Sequence, residues 1–150
     1  MRRIGVIGDA ACSEEVMNLA EEVGQEIAKR QGILICGGLT GVMEGAARGA
    51  KKQGGLTIGI IPGVSAKDAN PFIDIPIVTG LRDARNIIVV RSSEAIIAVH
   101  GKYGTLSEIA FALKFKIPVI GLYTWAVSPD IVIALNAVDA VGKAFHLIQR

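Results

Sequence analysis

This 150-residue chain lacks long runs of one charge. Sixteen Lys and Arg stand against fourteen Asp and Glu, a formal net charge of +2. Without a Lys/Arg cluster it lacks the electrostatic footprint of a dedicated nucleic-acid binder. No apolar stretch approaches the roughly 20 residues of a membrane span, so no membrane partner is expected. Met1-Arg2-Arg3 is basic, but the apolar run that follows is short and broken by Gly5, Gly8 and Asp9. It reads as a first strand rather than a secretory leader, and the cytoplasm is the expected location. The two cysteines, Cys12 and Cys36, fit neither a CxxC pair nor a Cys/His zinc spacing. They are expected as buried or half-buried thiols, with no metal site. A reducing compartment argues against the alternative of a redox pair. Walker-type phosphate loops, internal repeats and low-complexity segments are also missing.

What is there is aliphatic. Hydrophobic residues make up 51% of the chain and aromatics only 5%. Continuous Val/Ile/Leu runs suit a parallel sheet covered on both faces. A chain of this length fits one domain, residues 1–150, that needs no disulfide or metal staple.

The periodicities predict alternating strands and helices. Strands are expected at Ile4–Ile7, Ile33–Cys36, Leu56–Ile61, Phe72–Val78, Ala95–Val99, Val119–Tyr123 and, briefly, Ile131–Leu135. Pro76 argues that the fourth is an edge or irregular strand. A helix over 14–30 buries Val16, Leu19, Ala20, Val23 and Ile27, with Ser13 as N-cap. A second helix to about Gln53 carries Gly41, Gly45 and Gly49, a bare stripe suited to close contact with the sheet or another subunit. Residues 81–92 read as a helix that places Arg82, Arg85 and Asn86 on one face. The next helix carries Leu106, Ile109, Ala110, Leu113 and Ile117 at spacings of three and four. Asn136 caps a closing helix with Val138, Val141, Phe145 and Ile148 inward. Together these predict a doubly wound, Rossmann-like three-layer α/β sandwich, which binds ligands at the carboxyl ends of its strands.

The stretch His100-Gly101-Lys102-Tyr103-Gly104-Thr105-Leu106-Ser107-Glu108 lies between a buried strand and a helix start. A glycine-bearing turn there, with free N–H groups and the positive end of a helix dipole, suits a phosphate. Thr105-x-x-Glu108 equally fits a capping box. Gly37-Gly38-Leu39-Thr40-Gly41 forms a second turn on the same rim. It is an incomplete dinucleotide fingerprint, because Cys36 stands where a glycine is needed, so a plain tight turn is the alternative. Taken singly, Arg85 and Lys102 fit solvated cations, His100 a hydrogen-bonded rim residue and Asp9 a turn residue.

Gly37 to Met43, Arg85-Asn86 and Gly101 to Glu108 together resemble the lonely-guy family, long labelled possible lysine decarboxylases. Its superfamily includes molybdenum-cofactor carrier proteins and the Rossmann-like part of DNA-processing protein A. The resemblance implies a phosphoribohydrolase, which cuts the base from a nucleoside 5′-monophosphate, with Glu108 and Arg85 catalytic. It implies ligand contacts at Gly37, Gly38, Gly41, Gly101, Lys102, Gly104 and Thr105, no resident cofactor, and a homodimer or higher homo-oligomer. His100 and Lys102 replace the motif's proline and second glycine, and Asp83-Ala84-Arg85-Asn86 replaces the family's Met-His-x-Arg-Lys. These departures point toward the carrier branch, with a nucleotide or a phosphorylated cofactor such as molybdopterin as small-molecule partner. Nothing supports lysine decarboxylation, and a DNA-handling role is the weakest of the alternatives.

Overall fold

The aliphatic runs pair side by side. The computed structural model, which describes residues 1–149, forms one seven-stranded sheet in the order β4-β3-β2-β1-β5-β6-β7. Its strands are β1 (Arg3–Gly8), β2 (Ile33–Cys36), β3 (Leu56–Ile61), β4 (Ile75–Val78), β5 (Ala95–Val99), β6 (Val119–Leu122) and β7 (Val132–Ile133). Every pairing is parallel. Strand β5 sits near the centre and is buried along its whole length, as a strand covered on both faces must be. Pro76 lies in edge strand β4, where a missing N–H does no harm.

Helices α1 (Glu14–Lys29), α2 (Val42–Lys52) and α5 (Ala137–Leu147) cover one face. Helices α3 (Arg85–Arg91) and α4 (Tyr103–Lys114) cover the other. The alternation in β5 divides the core. Ala95, Ile97 and Val99 join the first layer, and Ile96 and Ala98 the second. Among the described residues no helix is long and apolar enough to cross a membrane.

Both N-caps hold. Ser13 Oγ accepts from the Val16 N–H at 3.2 Å, and Asn136 Oδ1 from the Asp139 N–H at 2.9 Å. The 81–92 segment differs from expectation. A single 3-10 turn, Arg82–Ala84, precedes α3, and Arg82 has φ +56° and lies exposed, so it does not share a face with buried Arg85 and Asn86. Val138 is also exposed. The inward stripe of α5 is Ala137, Ala140, Val141, Ala144 and Phe145, and Val138 sits 100° around from its start.

Gly45 and Gly49 of the small-residue stripe meet α1, and Gly41 meets Asp9 and Ala10 in the turn before it. A Cβ on Gly49 would fall 1.9 Å from the Glu21 carbonyl oxygen, and one on Gly24 1.9 Å from that of Ala46. Backbone meets backbone there, so neither helix can yield by turning a side chain. Gly24→Ala is therefore expected to cost about 1–3 kcal/mol, although alanine is the better helix former. Urea unfolding measures this, and an unchanged midpoint would show that the two helices part easily.

Candidate functional site

From β1 the sheet is extended in opposite directions, toward β2 on one side and β5 on the other. The crevice at the carboxyl ends of those strands is where an open α/β sheet takes its ligand. A cleft of about 170 Å³ lies there, lined by Gly8, Asp9, Ala10, Gly37, Leu39, Met43, Asp83, Arg85, Asn86, Lys102, Gly104, Thr105 and Glu108, with Val6 and Ile7 at its floor. A wider groove of about 910 Å³ passes the start of α1 beside Glu14, Glu15 and Glu22. Its acidic rim repels an anion, so the smaller cleft is the candidate.

The chain leaves β5 through His100 (φ +52°) and Gly101 (φ +107°). A Cβ on Gly101 would overlap Thr105, 2.4 Å from both its Cβ and its Oγ1. Gly101 is thus required for Thr105 to tuck beneath the turn, where it is buried. Helix α4 starts three residues earlier than a capping box at Thr105 requires. Its N-cap is Lys102, which caps with no side-chain hydrogen bond. The first amide to be bonded is that of Leu106, to the Lys102 carbonyl at 2.9 Å. The N–H groups of Tyr103, Gly104 and Thr105 have no acceptor among the described residues. The capping box is not formed, and the turn keeps its donors free. Gly104 has no steric reason to be glycine, since a Cβ there would meet nothing within 4 Å.

Helix α4 buries Thr105, Glu108, Ile109 and Ala112 while Ala110 faces solvent. The sequence had placed Ala110 on the apolar stripe. Ile109 and Ala112 pack into the core on the same face that buries the Glu108 carboxyl. Glu108 is 7% exposed and accepts no hydrogen bond among the described residues. Burial pushes its carboxyl up to about 8, and the nearby Arg85 charge offsets only part of that rise.

Arg85 is buried, against its reading as a solvated cation. Its Nε donates to the Ile60 carbonyl at 3.0 Å, its Nη2 to the Gly37 carbonyl at 3.5 Å, and its Nη1 to Asn86 Oδ1. Asn86 Nδ2 in turn donates to Ser107 Oγ at 3.3 Å, and Ser107 Oγ to the Gly104 carbonyl at 2.6 Å. One connected set of hydrogen bonds therefore ties the ends of β2 and β3 to the first turn of α4. Burial lowers the Arg85 pKa, and Glu108 opposes that shift.

Of the residues singled out from sequence, Gly37, Arg85, Lys102, Gly104, Thr105 and Glu108 meet at the cleft. Gly38, Gly41 and Gly101 lie beside it and serve close packing. Cβ atoms on Gly38 and Gly41 would strike Ile61 Cδ1 at 2.4 Å and the Asp9 carbonyl at 2.2 Å. Lys102 Nζ lies 3.4 Å from Asp9 Oδ2, which links the β1 and β5 turns across the mouth. Asp9 and Asn86 are therefore cleft residues that motif spacing gave no role. Asn70 was missed altogether. Its Nδ2 donates to the carbonyls of Gly38 at 3.3 Å and Leu39 at 2.7 Å and fixes the glycine turn. Both cysteines are free. Burial raises both thiols, Cys36 to about 12, and Asp9 adds to the rise at Cys12, so both are neutral.

The relatives match what the Gly101–Glu108 motif pointed to. The molybdenum cofactor binding protein of Rippkaea orientalis superposes with a TM-score of 0.93 at 38% identity, covering 99% of this chain and 98% of that one. The Moco carrier protein of Chlamydomonas reinhardtii gives 0.89 at 37% identity, covering 98% and 97%. The cytokinin riboside 5′-monophosphate phosphoribohydrolase of Mycobacterium tuberculosis is 38% identical over 98 residues, 63% of this chain and 52% of that protein. With residues 1–145 matched by the family model, the chain belongs to the SLOG cluster4 family.

Proposed function

We propose that this protein binds and carries a small phosphorylated ligand, a pterin-type cofactor or a nucleotide, with the phosphate on the first turn of α4. The observation that carries this reading is the row of unbonded amides at Tyr103, Gly104 and Thr105, beside a glycine that packing does not require. Helix-start N–H groups and the positive dipole end favour a phosphate, and the missing Cβ lets it approach the backbone. Lys102 at the mouth, within reach of Asp9, adds a positive charge.

Carriage is favoured over turnover by the state of the two inner residues. Cutting an N-glycosidic bond through a carboxylate needs that group ionised beside the developing positive charge. At pH 7 a carboxyl raised to about 8 is mostly protonated. It then adds a hydrogen-bond donor next to the anion instead of a repelling charge. Arg85 spends three of its five N–H groups on protein acceptors, which makes it a strut under the turn. The full-length likeness to two molybdenum-cofactor proteins supports the same reading. Hydrolysis of a nucleoside 5′-monophosphate is the second reading, favoured by the partial match to the Mycobacterium tuberculosis enzyme.

Incubation with AMP and, separately, with molybdopterin tests the two. Cofactor binding with no free adenine is expected, and steady adenine release would establish the hydrolase instead. Gly104→Ala probes the phosphate seat directly. Alanine in a helix is worth about 0.5–1 kcal/mol over glycine, so the variant should be slightly more stable. Its Cβ occupies the phosphate approach, so affinity should fall about tenfold, the equivalent of one lost charge-assisted hydrogen bond. Undiminished binding by calorimetry would move the phosphate elsewhere.

A further inference from the structure

The cleft is too small for the whole ligand. Its volume of about 170 Å³ lies well below the several hundred Å³ typical of a site that encloses a drug-sized molecule. A phosphate and its linker fill it, and the remainder must lie on the rim.

The rim next to the unbonded amides carries an aromatic pair. Tyr103, the first residue of α4, is 80% exposed, and its ring stacks on that of Trp125 with centroids 6.0 Å apart and planes 26° apart. The Trp125 indole N–H donates to the Lys102 carbonyl at 3.0 Å, which anchors the loop after β6 to the start of α4. Trp125 is the chain's single tryptophan. Large aromatic side chains ordinarily bury most of their area. Here one ring of a fixed pair stands in solvent, on a residue whose own N–H belongs to the phosphate seat.

We infer that Tyr103 and Trp125 form the platform on which the planar fused-ring heterocycle of the ligand stacks, outside the cleft that holds its phosphate. The ligand class is a fused-ring heterocycle joined to a phosphate monoester by a short linker, whether purine nucleotide or phosphorylated pterin. This assignment rests on the phosphate seat proposed above, and it places recognition of the heterocycle in two aromatic faces. Such stacking tolerates ring substituents, because every such ring presents a π-face.

Titration with GMP and with ribose 5-phosphate separates the two claims. GMP is expected to bind about tenfold more tightly, with a change in Trp125 emission, and ribose 5-phosphate to bind without that advantage. Tyr103→Ala, which removes the ring and keeps the main-chain N–H of the seat, should erase the tenfold preference, while Tyr103→Phe keeps it. Tyr103 is exposed enough that truncation should not unfold the protein, and the melting temperature checks this. Equal affinities for the two probes in the parent protein, with unchanged emission, would overturn the platform and leave the phosphate seat standing. Binding of neither probe nor of molybdopterin would overturn both. A Tyr103→Ala variant that loses mass in sedimentation yet retains the GMP preference would assign the ring to a contact between copies of the chain.

Discussion

At pH 8, Glu108→Gln is expected to unfold at a clearly higher urea concentration than the parent protein, whereas at pH 5 the two should nearly coincide. In the unfolded chain this carboxyl ionises near 4.5, and in the fold burial holds it protonated up to about 8. Between those values the native state keeps a proton that the unfolded state has released. Parent stability therefore falls as pH rises through that window, by about 1.4 kcal/mol per pH unit from this one group. The loss is complete once the native carboxyl has ionised. Glutamine has no proton to release, so the gap between variant and parent should widen from pH 5 to 8 and then level. Glu21, Asp74 and Glu94 are shifted the opposite way by their cation and backbone partners. Their contribution is present above the ordinary carboxylate range and lost in acid, it lies outside the window, and both proteins share it. Parallel stability profiles from pH 5 to 8 would mean that Glu108 is hydrated, and the case for a neutral acid in the cleft would fall with it.

The same residue marks the limit of what the sequence discloses. Aliphatic runs set the strands, and their number and spacing led to the sheet because a strand covered on both faces has few other ways to fold. The glycine-bearing turn between β5 and α4 was legible because glycine positions report backbone demands directly. The protonation state of Glu108 was not legible, since it depends on how far α4 rotates toward β1 and β5. That rotation is set by Gly101, which lets Thr105 pack under the turn, and no count of residue spacings contains it. Arg85 failed as a surface residue for a related reason. Its acceptors are main-chain carbonyls on β3 and at the end of β2, 25 and 48 positions away in the chain, and carbonyls leave no trace in side-chain patterns. Gly104 shows the converse. The motif gives it the same standing as the other turn glycines, and only the open space around it separates it from Gly38 and Gly41, which packing demands.

Arg85→Met should cost about 3–5 kcal/mol, the range for removing one member of a buried, hydrogen-bonded charge set. Methionine fills much of the same volume but leaves the Ile60 and Gly37 carbonyls and Asn86 Oδ1 without their donor. Arg85→Lys is expected to recover little, because one ammonium cannot span acceptors on three separate elements as a guanidinium fork does. The substitution should also reach Glu108. Arg85 is the one cause that holds that carboxyl down against burial, so without it the pH-dependent loss of stability should extend above pH 8. In the Arg85→Met, Glu108→Gln double variant that extension should vanish, because no carboxyl remains to titrate, while the cost of the orphaned carbonyls persists. The two changes are then non-additive in a pH-dependent way, as contacting groups should be. A different result would separate support from ligand contact. If Arg85→Met unfolds at the parental urea concentration at every pH yet no longer binds phosphorylated ligands, the guanidinium serves the ligand and not the turn. The network from β3 through Asn86 and Ser107 to Gly104 would then carry no load in the free protein.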